Sequence, residues 1–551
     1  MLALAAVGLL FEGWRLSRRV ATGVGEGFAV VATTLVVLIL CLAPAWIGGA
    51  RFAAVQGNQW DQFSYLSVAA LAKRMSYSAY NSAQLWPFLA ASTAHYLGVR
   101  PAVELVYAAM TGLFDQTVTS ASYAYRAAIQ TLMLPASLFL LANVTAARLP
   151  IRLLIAAGIA LGFAMQFVFD INAWSNLAGL PVAFLAVGIL VVWLGERAAS
   201  RRDGARLATA LAIVLSGFFY LYPDVTALLA ASFGGAAVAW VMADRWRPDW
   251  PRVWPVFAAL GLALLVCLVE PEGAFGAFIR QSSYAINNVP DWWKYFFAYL
   301  QQPGPVEQAA SALGLYFWVL PAAAPALLVA LWRVAVGGFI VGLLGAAVAA
   351  IATAPREIRR ALLIFAGSVL ALLAAVAILA LTDRLWAAGK ALAWASPSLL
   401  FLLLVPLTLA RPGALAKVPA AIMLAAQLSF GLYRLIAAGA PSGIHYPPPY
   451  PATQSVALKA DYRWDLDTFR GQIEACHGVS IDVANPFLER YVALFLVDIG
   501  AKWSSARPYN PYFGTAANLG MMPQIDADCL VTDHGDPARP PGGTVIDLVA
   551  G

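Results

Sequence analysis

The sequence predicts a mainly α-helical, multi-pass membrane bundle followed by a small α/β domain. Of its 551 residues, 61% are hydrophobic and only 12% are charged, with a mean hydropathy of +0.73. A soluble domain carries about 25% charged residues. Apolar runs of about 20 residues, long enough to cross a bilayer as helices, recur along most of the chain. Clusters of arginine separate these runs, as is typical of the short loops of membrane proteins.

Twelve apolar runs are candidate spans, and because their ends are uncertain we expect about 11 to 13 spans. The runs are 27–49, 120–146, 151–170, 177–194, 206–222, 225–242, 253–270, 315–332, 334–353, 361–382, 394–410 and 418–437.

The arginine clusters predict the orientation of the bundle, since basic residues are retained in cytoplasmic loops. The clusters are Arg15/Arg18/Arg19, Arg148/Arg152, Arg197/Arg201/Arg202/Arg206, Arg245/Arg247/Arg252, Arg356/Arg359/Arg360 and Arg411/Lys417. Between an outside loop at 271–314 and the inside cluster at 356–360 the chain must cross an odd number of times. Two runs lie there, 315–332 and 334–353, and we expect 315–332 to lie along the interface or to re-enter.

The predicted organisation is one membrane domain and one small domain outside it. Residues 1–440 form the membrane domain, with a long first outside loop at 50–119 and another at 271–314. A Pro-rich stretch at 441–452 is a stiff linker. Residues 453–551 form a small extracytoplasmic α/β domain. Its helices are predicted at DLDTFRGQIEA and PFLERYVALFLVDIG, and its strands at VSIDV, DCLVTD and TVIDLVA.

Two of the four cysteines, Cys476 and Cys529, lie in this hydrophilic tail. If the tail faces an oxidising compartment, the two thiols can pair, and otherwise they stay free.

Composition and motifs exclude several functions. The net charge of +6 comes mostly from arginine in short loops, which gives no reason to expect a nucleic-acid partner. The chain has no GxxxxGK[ST] and no HExxH motif, and no predicted cytoplasmic segment is large enough to bind a nucleotide. The substrates of an enzyme built this way therefore come from the lipid or from the far side of the membrane.

The stretch GNQWDQFSYLSVAALAKRMSY holds the first carboxylate after the first span, Asp61, with Tyr65 one helical turn later. We expect a helix lying on the membrane surface. Asp61 is then either an ordinary capping residue or a general base facing a cleft. Apolar surroundings would raise its pKa and strengthen its pull on a hydroxyl proton.

An Asp followed by an aromatic on a helix of the first outside loop resembles the GT-C glycosyltransferases, integral membrane enzymes that use polyprenyl-phosphate sugars. The whole layout shares this resemblance: many spans, a long first outside loop and a C-terminal extracytoplasmic domain. The resemblance implies that Asp61 is the catalytic base. It also implies a second acidic residue in the next outside loop, which here is Asp170, with Asp224 as a further candidate.

Cations on the predicted outside are candidates for binding the donor phosphate. Arg384 and Lys390 lie on the predicted outside, against the charge rule, where they either snorkel to headgroups or bind an anion. Lys73, Arg74 and Arg280 are the other candidates for this role.

Aromatic side chains in the outside loops suit the faces of a sugar. The candidates are Tyr65, Trp174, Tyr284, Trp292 and Trp293, which otherwise serve as anchors at the headgroup level.

The predicted function is therefore a hexosyl- or pentosyltransferase of the GT-C type in a bacterial inner membrane, active on the periplasmic side and inverting by resemblance. Its expected partners are a polyprenyl-phosphate sugar, a glycan or glycolipid acceptor and the bilayer. No cofactor is predicted, and a role for Mg²⁺ or Mn²⁺ stays open, because two carboxylates alone make a poor octahedral cage. The alternatives are a transporter or flippase of lipid-linked saccharides and a surface-polysaccharide polymerase or ligase.

Overall fold

The computed structural model describes most of the spans and the core of the C-terminal domain. The described residues are 24–47, 60–73, 102–170, 174–195, 201–243, 250–268, 276, 278, 279, 283, 304–315, 324–409, 413–438, 465–484, 486–505, 525–533 and 543–548.

Helices dominate this part of the chain, as predicted. They are α1 (Val24–Ile47), α2 (Trp60–Ala72), α3 (Ala102–Leu113), α4 (Ser122–Thr131), α5 (Met133–Val144), α6 (Leu149–Ala160), α7 (Phe163–Asp170), α8 (Trp174–Gly195), α9 (Arg201–Leu221), α10 (Thr226–Ala243), α11 (Trp250–Leu268), α12 (Pro305–Ala312), α13 (Ala326–Thr353), α14 (Arg356–Leu381), α15 (Leu385–Leu404), α16 (Ala414–Ala438), α17 (Arg470–Glu474) and α18 (Pro486–Ile499). Short 3₁₀ turns lie at Pro223–Val225, Val405–Thr408 and Leu466–Phe469.

Eleven stretches of the described residues are long and apolar enough to cross a membrane, so the chain is a multi-pass membrane protein. Two of them, Ser122–Val144 and Leu149–Phe169, each join two consecutive helices, α4 with α5 and α6 with α7. If all eleven stretches cross, the described arginines of the predicted clusters, such as Arg148, Arg252 and Arg356, lie at one end of the bundle, and the described part of the C-terminal domain lies at the other. We call the second end the outer end and the first the opposite end.

The expectation that the run 315–332 is separate from 334–353 is wrong for its second half. One continuous helix, α13, spans Ala326–Thr353 and joins that half to the next run, so the described residues of both runs contribute one span. The sequence pattern is interrupted at Arg333, but this residue does not end the helix. Its Nε donates to Glu307 Oε1 on α12 at 2.6 Å, so the charge is paired while the backbone stays helical.

The spans form a buried centre and a lipid-facing periphery. In the four stretches made of α4 with α5, α6 with α7, α8 and α15, 72–78% of the residues in the apolar 18-residue window are buried, and in the other stretches 22–39%. Large apolar side chains such as Phe28, Leu327 and Val334 lie exposed on the peripheral helices. In a membrane protein these faces contact lipid.

Peripheral helices α10 and α14 pack backbone to backbone. A Cβ on Gly235 would lie 2.3 Å from the carbonyl oxygen of Gly367, and a Cβ on Gly367 would lie 2.5 Å from that of Gly235. Ala239 and Ala371 follow one turn after each glycine and line the same contact. Small residues spaced by four allow such close approach in membranes, where packing drives helix association.

The C-terminal domain contains a four-stranded, all-parallel sheet. Its strands are β1 (Val479–Asp482), β2 (Trp503–Ser505), β3 (Cys529–Thr532) and β4 (Thr544–Asp547), in the order β2-β1-β3-β4. Val479 lies opposite Trp503 on one side and Cys529 on the other. The predicted strands are confirmed as β1, β3 and β4, and the predicted helices as α18 and as a 3₁₀ turn running into α17. The three-residue β2 was not predicted.

A disulfide joins Cys476, just before β1, to Cys529 at the start of β3. It resolves the alternative left open by the sequence. The other two cysteines, Cys41 and Cys267, form no disulfide and are buried in spans. The linker predicted at 441–452 lies outside the described residues.

Candidate functional site

The short helix α7 is the centre of the outer end. It packs against α4, α8, α15 and α16. It exists because the span it belongs to breaks at Leu161–Gly162, between α6 and α7. Gly162 is required there, since a Cβ would lie 2.6 Å from the carbonyl oxygen of Gly158. A break inside a span leaves backbone groups that must find partners within the protein.

Two buried glutamines supply those partners. The Gln427 side chain on α16 accepts a hydrogen bond from the Phe163 N–H at 3.0 Å and donates to the Leu313 carbonyl at 2.7 Å. Gln130 on α4 donates to the Ala160 carbonyl at 2.8 Å. The break between α6 and α7 is therefore stabilised by side-chain hydrogen bonds from two other helices, α4 and α16.

Two buried arginines approach the last turn of α7. The guanidinium carbon of Arg126 lies 4.7 Å from the centroid of the Phe169 ring, and that of Arg434 lies 5.0 Å from it. Arg126 Nη1 donates to the Phe169 carbonyl at 3.1 Å, and Arg434 Nη1 donates to Gln166 Oε1. The relative exposures of Arg126 and Arg434 are 0% and 1%. We call these two residues the arginine pair.

Burying the two guanidiniums of the arginine pair costs desolvation free energy. Two guanidiniums, always ionised, share one aromatic ring at the edge of a membrane bundle. Contacts with a ring face, a carbonyl and an amide orient these cations. Ionised groups buried in membrane proteins mark substrate or ion pathways by default. The arrangement suits an anion with several oxygens, such as a phosphate.

An aromatic cluster lies beside the pair. The rings of Tyr65 on α2 and Trp174 on α8 stack with centroids 5.3 Å apart and planes 22° apart. Tyr107 and Tyr125 also contact Trp174, at 5.3 and 5.5 Å. The structure thus brings together two of the predicted sugar-binding aromatics. Both are buried, at 1% and 0% exposure, so their stacking here ties α2 to the bundle.

Helix α2 differs from the surface helix that the sequence predicted. Every side chain from Tyr65 to Leu71 is buried. The helix packs against α3 and against α18 of the C-terminal domain, which cover it. Asp61 lies in the first turn of α2, one turn before Tyr65.

Predicted phosphate ligands have different surroundings. The Lys390 ammonium lies 4.9 Å from the centroid of the Tyr222 ring, which stacks on Trp394, and Lys390 is only 9% exposed. Arg384 precedes α15 and is half-buried. The Lys73 ammonium lies 3.0 Å from each carboxylate oxygen of Asp498 and donates to the Gln116 carbonyl at 2.8 Å. That contact gives Lys73 a different environment from a phosphate site.

Several predicted site residues fall outside what the structure describes. The backbones of Asp61, Asp170 and Asp224 are described and their side chains are not. The residues wholly outside the described ranges are Arg74, Arg280, Tyr284, Trp292 and Trp293. The structure does place the Asp170 backbone directly after Phe169, next to the arginine pair.

Sequence reasoning missed Arg126 and Arg434. The pattern that singled out Arg384 and Lys390, a cation at the outer end against the charge rule, applies equally to both arginines. Each lies within an apolar run, and only the fold shows that the two meet at one ring, 308 residues apart by their numbers.

Metal ligands were sought among the described residues. One group of three candidate side chains was found, Cys476, Asp528 and Cys529. The two cysteines are joined in the disulfide and have no thiolate to offer. The Asp528 carboxylate accepts hydrogen bonds from the His477 ring and backbone, which lower its pKa to about 2. This cluster therefore stabilises the sheet and is not a metal centre.

The fold and the outer end define a multi-pass helical membrane protein with a buried pair of arginines and a disulfide-linked domain. No protein-family model matches the chain, and no curated protein is similar to it.

Proposed function

We propose that the protein is a membrane glycosyltransferase that moves a sugar from a polyprenyl-phosphate donor to an acceptor hydroxyl at the outer end of the bundle. The arginine pair is the observation on which this proposal depends. It brings two guanidiniums, whose planar forks suit phosphate oxygens, to the end of the span that contains α7. The predicted acidic residue Asp170 directly follows the ring that both arginines contact.

The proposed reaction is a single displacement. Asp61 takes the proton from the acceptor hydroxyl, and the hydroxyl oxygen forms a bond to the anomeric carbon of the sugar. The bond between that carbon and the phosphate oxygen breaks, and polyprenyl phosphate leaves with the electron pair. The arginine pair, with Lys390 as a third cation, stabilises the charge that develops on the phosphate. One displacement inverts the anomeric configuration.

Access to the pair sets a requirement on the mechanism. Both guanidiniums are buried, so the donor phosphate has to separate α7 from a neighbouring helix on binding. Because this separation removes contacts of the neighbouring helix, donor binding should speed amide hydrogen exchange in peptides from α4 or α16.

The experiment is a turnover assay on the purified full chain in nanodiscs with a polyprenyl-phosphate sugar and an acceptor glycan. We expect release of polyprenyl phosphate from the wild type. Asp61→Asn should abolish release and keep donor binding, while Arg434→Lys should weaken donor binding, because lysine cannot reproduce the planar fork. Arg356→Gln, an exposed arginine at the opposite end, is the matched control.

An intact donor after incubation with a panel of acceptors would remove the transferase proposal. Normal turnover in Asp61→Asn would remove Asp61 as the base while leaving the class of enzyme in place.

The broken span of α6 and α7 favours a second candidate, a transporter of lipid-linked saccharides. Discontinuous membrane helices commonly form the substrate sites of transporters, and here two glutamines maintain the break. A transporter should carry a fluorescent lipid-phosphate saccharide across the bilayer of reconstituted vesicles and release no polyprenyl phosphate. A transferase should do the reverse.

A further inference from the structure

The C-terminal domain makes its closest polar contacts with the loop between α3 and α4 and with the end of α2. Asp498, on the last turn of α18, is at the centre of these contacts. Its carboxylate is fully buried, lies 3.0 Å from the Lys73 ammonium with both oxygens, and accepts the Val118 N–H at 2.8 Å. One side chain of the C-terminal domain thus binds two separate segments of the membrane domain.

Three further contacts hold the same loop. The Tyr491 hydroxyl donates to the Thr119 carbonyl at 2.5 Å. The Thr117 hydroxyl lies 3.0 Å from both carboxylate oxygens of Asp467, whose pKa is raised mainly by burial. Arg470 donates to the Asp115 carbonyl at 3.3 Å. The loop is therefore fixed along its length by the C-terminal domain.

Both segments that Asp498 binds, the end of α2 and the loop before α4, are connected by contacts to the Trp174 ring. Lys73 follows α2, which also contains Tyr65, and Tyr65 stacks on Trp174. Val118 accepts a hydrogen bond from the Tyr107 hydroxyl at 2.6 Å, and Tyr107 contacts Trp174 edge-on. A movement of Asp498 would therefore disturb the packing around Trp174 through both α2 and the loop before α4.

We propose that Asp498 is a positioning residue: by pairing with Lys73 it lets the C-terminal domain set the placement of α2, the helix that contains Asp61. The domain then acts as a clamp on the first outside loop, and Lys73 serves this clamp instead of the donor phosphate. The effect on turnover rests on the proposed function, whereas the clamp itself does not.

The test uses Asp498→Asn in the full chain, which keeps an acceptor for Val118 and removes the charge facing Lys73. Hydrogen exchange of amides in α2 and in residues 114–121 should become about tenfold faster, since local opening depends on the contacts that hold a segment. Exchange in α13 and α14 should not change. Asp526→Asn, which removes an exposed carboxylate from the same domain, is the matched control and should leave α2 unchanged.

Kinetics separate the clamp from phosphate binding. If Lys73 positions α2, Lys73→Met should lower kcat about 10- to 100-fold, as misplaced reactive groups do, with KM for the donor within about twofold. The double variant Lys73→Met with Asp498→Asn should have a kcat no lower than that of either single variant. Asp498→Glu, which keeps the charge, should have a higher kcat than Asp498→Asn. A raised donor KM with unchanged kcat in Lys73→Met would overturn the proposal.

Hydrogen exchange keeps the two proposals distinguishable. Faster exchange of α2 in Asp498→Asn, in a protein that releases no polyprenyl phosphate, would uphold the clamp and reject the transferase. Unchanged exchange of α2 in both Asp498→Asn and Lys73→Met would reject the clamp whether or not the protein is an enzyme.

Discussion

The two ends of the bundle use arginine in opposite ways. At the opposite end, Arg148 lies exposed in the connection before α6, and Arg356 and Arg359 lie exposed in the first turn of α14. At the outer end, Arg126 and Arg434 are buried against one phenylalanine ring. Exposed arginines in loops determine orientation through their number. Buried arginines depend on specific neighbours, so each contact contributes to the free energy of unfolding.

The ends also differ in what covers them. At the opposite end the described connections, 145–148 and 354–355, are short, whereas at the outer end a disulfide-linked domain contacts α2 and the loop before α4. We therefore expect the functional site at the outer end, which the C-terminal domain contacts. The four predictions below test this contrast, from the largest effect to the smallest.

The largest effect concerns sidedness, because labelling is all or none. The wild type offers no reactive thiol, since two cysteines are bonded and two are buried. Lys502→Cys, exposed in the C-terminal domain, and Ala146→Cys, exposed between α5 and α6, should react with an impermeant maleimide from opposite faces of sealed vesicles. Labelling of both from the same face would contradict the eleven-span arrangement.

The disulfide should contribute the next largest effect. Its two cysteines are separated by 53 residues, and closing a loop of that size stabilises a domain by about 2–4 kcal/mol. The double variant Cys476→Ser with Cys529→Ser should lower the free energy of unfolding of the C-terminal domain by that amount in chemical denaturation. Dithiothreitol should destabilise the wild type similarly and leave the double variant unchanged. A wild type insensitive to reduction would show that the sheet does not depend on the bond.

Breaking one contact of the arginine pair should have a smaller effect. Gln166→Leu removes the acceptor of Arg434 Nη1 in a buried site, and losing a hydrogen bond to a charged group costs about 1.5–3 kcal/mol. Thermal unfolding in detergent should show this loss. Arg359→Gln removes an exposed arginine that donates to the Ala352 carbonyl at 3.2 Å, and it should change stability by less than about 0.5 kcal/mol. Equal losses in the two variants would erase the contrast between the ends.

The smallest effect is the acid sensitivity of the exposed cluster at His477 and Asp528. The pKa of Asp528 is lowered from 3.8 to about 2, and the largest cause is the hydrogen bond with the His477 side chain. A lowered carboxyl pKa stabilises the folded state above the unfolded value, and this contribution is lost as pH falls from about 4 to about 2. Asp528→Asn should therefore flatten the fall in melting temperature over that window. The shift should be small because both side chains are exposed.

Hydropathy predicted the spans well because span length follows from bilayer thickness alone. It failed where a tertiary contact decides the local structure. Hydropathy divides the runs 315–332 and 334–353 at Arg333, yet Glu307 pairs with this arginine and α13 continues through it. The break in the span at Leu161–Gly162 depends on Gln427, 264 residues away from Phe163, which no local pattern reveals.

The candidate site was only partly predictable for the same reason. The contact between Tyr65 and Trp174 joins two residues that the sequence singled out. The partner of Lys73 could not be foreseen, since a surface lysine and a distant Asp498 have no shared pattern. The roles of Asp61, Asp170 and Asp224 remain predictions from sequence and resemblance.

The pairing of Lys73 with Asp498 across 425 residues has a consequence for biosynthesis. A nascent chain inserts its first helices long before the ribosome reaches α18, so α2 waits for its partner during most of translation. The outer end is therefore completed only after α18 has been synthesised, which follows the last of the described spans. A chain that stops early would keep its helices in the bilayer and leave this end unassembled, with hydrophobic surface exposed as in other incompletely folded proteins.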